Sequence, residues 1–500
     1  MAIFNARSAS TDCSIARQLH TAFYILSVLA TLLPATMWSQ TAPCEYEFVP
    51  LQQGEILSAS LNDSAIHGQG VYRVVHFGDS HIQADRITAT IRKEFQRIGG
   101  DGGSGIFFPY SLCGSFGPNG VESKVTGNYT YATQLKNPSA TPIGIMGYSL
   151  LMQKGATLSM VFNEDFKGKK TNSITIWIHS PADTNHVMLG EEWTLTNRSA
   201  LGLDIYAYTF QTTSIPDQIS FTTAMTCSFW GVEFNQTSGL CYQQNGLVGA
   251  QFSHLITHED YVIRQLIAIK PSLLIFSYGT NEAYEAYEVI DTLSYYKKVS
   301  RFINRVKSDL PGVPILITNA PDTRSSGKTP PSQVAVNATL QKVSVQCQTA
   351  YFDLNKAMGG WGSLYTWNKK GFVLKDLLHF NKEGARVLGL LMAEAMFSAT
   401  GLGEKDALAS IRTELSGSLC KTPGEPVLTE ASIPEVIKPK PAVPKKTSAA
   451  MSKKGRVYVV KKGDTLSGIA KKTGTTVKQL TTKNKISVNE LLHPGQKLKY

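Results

Sequence analysis

Apolar and polar positions follow two rhythms along this 500-residue chain, and the rhythm changes twice. Residues 71–77 form a short apolar run that Gly78-Asp79 end, and residues 82–98 carry apolar positions at helical spacing. The pattern predicts a buried strand, a turn and a helix. From about residue 120 to 235 the spacing shortens: segments 157–162, 173–179, 192–197, 203–209 and 218–223 alternate or are β-rich, with turn residues between them. Short strands at that interval predict a β-sandwich. After Gly246 the longer rhythm resumes, with helices at 253–269, 290–310, 334–347 and 382–398 and strands at 272–277, 313–318 and 349–352. Strands separated by helices predict a parallel sheet covered on both faces, with the sandwich inserted after its first strand and helix. Residues 43–70 read as a polar lead-in, and the pattern fades after Gly401.

The two ends differ from this body. Arg7 and Arg17 precede an apolar run at 22–35, and small and polar residues follow around Ser39. That is the order of a secretory signal peptide, expected here over residues 1–41. The run is interrupted by Ser27 and Pro34 and is short for a span, and no other stretch is long enough to cross a bilayer. Export to the periplasm, envelope or exterior is therefore expected. At the other end, six prolines from Pro423 to Pro444 lie among lysines, which predicts a semi-extended linker over 416–455. Residues 456–500 regain apolar periodicity as a small unit. The expected organisation is a first α/β part at 42–119, the insertion at 120–238, a second α/β part at 239–415, the linker and the terminal unit.

Charge and cysteine content sharpen this picture. The net charge is +11, yet residues 421–500 hold 17 Lys and Arg against 5 Asp and Glu, so the body is close to neutral. A basic tail without interleaved aromatics or a recognition helix argues against a nucleic-acid partner and fits an anionic envelope polymer. Removal of Cys13 with the signal leaves six cysteines, whose 15 possible pairings the sequence does not separate and whose spacing fits no zinc site. Five glycines between Gly99 and Gly105 lack the Gly-Lys-Ser/Thr of a phosphate loop and read as a mobile active-site loop. No metal or cofactor is expected. His76, His81, His186, His254 and His258 are assigned structural or surface roles. Trp177, Trp193, Tyr206, Tyr208 and Trp230 of the insertion offer either a core or a sugar-stacking face.

Four short blocks carry candidate chemistry: Gly78-Asp79-Ser80-His81, Gly246-Leu247-Val248-Gly249-Ala250, Gly279-Thr280-Asn281-Glu282 and Asp376-Leu377-Leu378-His379. Ester hydrolysis needs a nucleophile, a base and donors for the oxyanion. Ser80 on its strand–helix turn supplies the first, His379 the second, and Asp376 orients the imidazole. The Ser80 and Gly249 amides with the Asn281 side chain would form the oxyanion hole. Asp79 reads as a turn stabiliser and Glu282 as structural.

In this order the blocks resemble those of the SGNH, or GDSL-type, hydrolases. The resemblance covers roughly residues 70–115 and 240–400 and implies a flavodoxin-like three-layer α/β/α domain with an acyl-serine mechanism. Residues 457–470 (VYVVKKGDTLSGIA), with 476–480, Asn484 and 492–498, resemble a LysM domain. That resemblance implies a βααβ module binding peptidoglycan or another N-acetylglucosamine-containing glycan. An SGNH core with a β-sandwich after the serine block is similar to peptidoglycan O-acetylesterases, so the expected reaction is removal of O-acetyl groups from muramic acid. Deacetylation of another polysaccharide, acetyl transfer to a sugar, and a non-enzymatic wall-binding protein are the alternatives.

Overall fold

The structure, a computed structural model, describes residues 46–61, 70–420 and 457–500, less short stretches at 118–119, 137–140, 183–186, 191, 287–288, 326–327, 403–404, 461–465, 474, 476, 485 and 487–494. The expected signal peptide, residues 421–455 of the expected linker, and His186 lie outside the described residues. The chain divides into two compact units, at Ile433/Pro434.

The larger unit is built on a parallel sheet of strands β1 (Val71–Gly78), β2 (Gly239–Gly246), β3 (Leu273–Ser277), β4 (Ile315–Thr318) and β5 (Ala350–Phe352). Their spatial order is β2-β1-β3-β4-β5, every neighbouring pair parallel. This is the doubly wound flavodoxin-like order. The apolar runs are continuous because both faces are covered, and successive residues enter opposite cores. Val74, Leu273 and Ile275 pack against helices α1 (Thr88–Gly99) and α5 (Lys382–Thr400). Val75, Leu274 and Phe276 pack against α2 (Glu259–Ile269), α3 (Thr292–Asp309) and α4 (Pro331–Cys347).

The insertion is a β-sandwich. One sheet runs Tyr129–Thr133, Tyr148–Met152, Cys227–Asn235, Ser173–His179, Ile205–Gln211, Leu195–Ala200, and Ile106–Phe107 pairs with Cys227–Asn235 beside it. The other runs Val121–Thr126, Thr157–Phe162, Gln218–Thr223, Val187–Met188. Its inner residues are continuous with one core of the α/β body. Trp177, Tyr206, Tyr208 and Trp230 are buried, so of the two readings the core one holds for these four, and Trp193 is partly buried against the same core. Arg198 lies over both tyrosine rings.

Local structure departs from the sequence pattern in four places. The helix expected at 82–98 begins only at Thr88, because Asp85 takes a positive φ of 61° and its carboxylate accepts from Thr88 and Arg92. The helix expected at 253–269 breaks at His258 into Phe252–Thr257 and α2. The lead-in contains a helix at Glu55–Leu61. A further helix, Lys405–Leu419, follows Gly401, with Ala407, Ile411 and Leu415 buried along one stripe. Cys113, Cys227, Cys241 and Cys347 are free and buried, whereas Cys420 is disulfide-bonded.

The C-terminal unit pairs Val457–Val459 with Lys497–Lys499 antiparallel, and the helices Leu466–Thr473 and Val477–Asn484 lie between them in sequence. Val460, Ile469, Ala470, Leu480 and Leu498 form its core.

Candidate active site

The four sequence blocks meet at the C-terminal ends of the parallel strands. β1 has neighbours on both sides, β2 and β3, so its carboxyl end opens at the switch point where ligands bind in doubly wound folds. Gly78 ends β1 because the next turn folds tightly over it: a Cβ there would lie 2.3 Å from Ile82 Cγ1 and 2.8 Å from the Ser277 carbonyl. The chain therefore turns at once and sets Ser80 just beyond the carboxyl end of β1.

Ser80 Oγ lies 2.8 Å from His379 Nε2, and His379 Nδ1 lies 2.7 Å from Asp376 Oδ2. With Nδ1–H directed at the carboxylate, Nε2 is left to accept the serine proton. Asp376 Oδ1 also accepts from the Leu378 and His379 amides, both at 3.0 Å. Leu377 takes a left-handed φ of 54°, which closes this loop tightly enough for the carboxylate to face the imidazole three residues on. Burial opposes ionisation of Asp376, but the hydrogen bonds from the His379 ring and the two amides outweigh it and hold the carboxyl well below the usual range.

Asp79 and His81 brace the serine turn. Asp79 Oδ1 accepts from the His81 amide at 2.9 Å and from Nδ1 at 3.0 Å, while Nε2 donates to the Leu378 carbonyl at 3.1 Å. Both ring nitrogens face acceptors, an arrangement that favours the charged ring. Burial disfavours that charge, but the Asp79 carboxylate and its hydrogen bond raise the His81 pKa. The pair ties the serine turn to the residue preceding His379.

The expected oxyanion donors are also brought near this turn. Gly249 has φ 81°, which L side chains rarely adopt. Among the described residues neither the Ser80 nor the Gly249 amide donates to a protein acceptor. Asn281 Nδ2 donates to the Ala250 carbonyl at 2.8 Å, which fixes the amide plane and leaves its second N–H.

Gln83, which carries no sequence signal, and Glu282 organise these donors. Gln83 donates to Ser115 Oγ at 2.7 Å and Phe116 O at 2.8 Å, and its carbonyl accepts from the Val248 amide, joining the serine turn to the Gly249 loop. Gly246 admits it, since a Cβ there would lie 2.1 Å from the Gln83 nitrogen. Buried Glu282, expected to be structural, accepts from the Phe252 amide at 2.8 Å, the Gly279 amide at 3.1 Å and the Tyr295 hydroxyl at 3.2 Å. It thereby locks the second block to the third. Burial pushes its carboxyl up to about 7 against the pull of those donors.

The site is shallow. A cavity of about 10 Å³ touches Ser80 and His379, whereas the cavity of about 620 Å³ beside Arg92, Phe107 and Phe166 touches neither. Among the described residues no group of three or more His, Cys, Asp or Glu could hold a metal ion.

Comparison with known proteins adds two findings. A sequence profile described as LysM domain matches residues 458–499. Residues 458–499 are a LysM domain. A solved structure of a peptidoglycan O-acetylesterase aligns over 70% of this chain and 97% of its own, at 22% identity and a TM-score of 0.59. The larger unit thus shares its fold with that structure. A GDSL-like lipase from Parabacteroides merdae aligns over 33% of this chain and 74% of its own (16% identity, TM-score 0.27). An acetylxylan esterase from Geobacillus stearothermophilus does so over 33% and 74% (12% identity, TM-score 0.26). No curated protein sequence matches significantly.

Proposed function

We propose that this protein is an exported serine esterase that removes O-acetyl groups from peptidoglycan, held at its polymer by the LysM domain. The observation that carries the reading is the continuous chain from Ser80 through His379 to Asp376, beside amides with no protein acceptor. His379 Nε2 takes the Ser80 proton as Oγ attacks the acetyl carbonyl, and Asp376 stabilises the imidazolium that forms. The Ser80 and Gly249 amides and the second Asn281 N–H receive the oxyanion. Collapse expels the sugar alkoxide, which takes the proton from His379, and leaves acetyl-Ser80. Water, deprotonated by the same imidazole, then releases acetate.

A shallow site with a cavity of only about 10 Å³ at Ser80 suits an ester displayed on a polymer. A likeness that extends over nearly the whole of a peptidoglycan O-acetylesterase supports the choice of polymer, as does a glycan-binding type of module in the same chain. The direct test is acetate release from O-acetylated sacculi by the full chain and by Ser80→Ala. Release by the wild type alone is expected, and equal release by both contradicts the role of Ser80.

A further inference from the structure

Beyond the reacting groups, one cation near the site lacks the partners its burial calls for. Arg324 lies in the loop after β4, and its amide donates to the Leu377 carbonyl at 2.9 Å, within the block that carries Asp376 and His379. Its carbonyl accepts from the Tyr284 hydroxyl, so the backbone is held from both sides. The side chain is only 13% exposed, yet among the described residues its buried Nε finds no acceptor. The nearest carboxylate, Asp322, stands 3.7 Å away. Its Oδ2 already accepts from the Gly362 and Leu364 amides at 2.9 and 3.0 Å, which explains why the ion pair stays loose. The guanidinium instead lies over the Tyr365 ring, 4.5 Å from its centroid. Tyr365 and nearby Trp361 are 52% and 43% exposed.

A stacked, nearly desolvated guanidinium with unfilled donors is the arrangement that recognises a carboxylate through two parallel hydrogen bonds. The exposed rings beside it offer an apolar face for a sugar. We propose that Arg324, flanked by Tyr365 and Trp361, forms a subsite for a carboxylate carried by the glycan next to the ester being cleaved. The inference rests on the esterase reading and adds a specificity determinant to it. Muramic acid offers such a group from two sources: its own lactyl carboxyl where no peptide is attached, or the carboxyls of an attached stem peptide. A guanidinium stays charged across the working pH range, so Arg324 acts as a binding residue and takes no part in proton transfer.

The test uses the full chain with two pairs of soluble O-acetylated substrates. One pair is a disaccharide-peptide with stem carboxyls free or amidated; the other is a peptide-free muramyl disaccharide with its lactyl carboxyl free or amidated. For wild type, kcat/KM should favour the acid over the amide roughly ten- to hundredfold in one pair, chiefly through KM, and that pair identifies the source. Arg324→Gln should bring the ratio close to one, and Arg324→Lys should restore part of it, since charge survives without the fork. A wild-type ratio near one in both pairs, or a ratio that Arg324→Gln leaves intact, overturns the proposal. The wild-type ratio needs no variant to fold. Acetate released equally from acid and amide sinks the subsite alone, whereas no acetate from any substrate sinks the esterase reading. In that second case, calorimetry of the same acid and amide ligands still decides the subsite: a wild-type preference for acid lost in Arg324→Gln upholds it, and none overturns it.

Discussion

Ser80 and His379 are 299 residues apart and end within a hydrogen bond of each other. Their blocks were recognisable because each is short, contiguous and rich in the residue types that acyl transfer needs. Asp376 and His379 were readable as a pair because the loop between them closes locally. Gln83 and Arg324 had no such signal. Each acts through a partner distant in sequence, Val248 and Leu377 respectively, and a lone Gln or Arg carries no hint of that partner. The same holds for His81, whose two ring acceptors are brought together only by folding. Among single residues, Asn281 gives the sharpest prediction. Asn281→Ala should lower kcat roughly 10²- to 10³-fold with little change in KM, the usual effect of losing one oxyanion donor. Steady-state kinetics on a soluble acetate ester measure this, and a change below about twofold would remove Asn281 from the oxyanion hole.

At the scale of elements, apolar runs bounded by turn residues sufficed to place the parallel strands, because strands buried on both faces are apolar throughout. Helix ends were less readable. The start at Thr88 depends on the Asp85 carboxylate and its positive φ, and the Lys405–Leu419 helix shows only a thin apolar stripe that packing completes. The sheet also hides a polar thread. Tyr242 of β2 and Ser277 of β3 hold the two nitrogens of His76 on β1, at 2.9 and 2.6 Å, and Thr318 of β4 donates to Ser277 at 2.8 Å. Burial drives the His76 pKa down to about 3, only weakly offset by Asp79. Below about 6.5 the unfolded chain binds a proton that folded His76 refuses, so stability falls as pH drops toward 3. Denaturant unfolding at pH 7 and 4.5 should show wild type losing roughly 2–3 kcal/mol more than His76→Gln over that interval. Equal losses would show that His76 is not held neutral.

The whole molecule joins a compact α/β body to a LysM unit with its own small core. Separate cores predict separable functions. A chain ending at residue 420 should turn over a small soluble acetate ester at the full-length rate and bind sacculi more weakly. Co-sedimentation with sacculi checks the second part, and equal binding by both forms would remove the targeting role. The fold class of both units was readable in the sequence, but the burial of the insertion's aromatic residues was not, since an aromatic on a strand has the same pattern whether it faces a partner sheet or solvent. The central claim, a peptidoglycan O-acetylesterase acting through Ser80, is tested most directly by acetate release from O-acetylated sacculi. Wild type should release acetate with time and Ser80→Ala should release none above the uncatalysed rate; no release by wild type, or equal release by both, would contradict it.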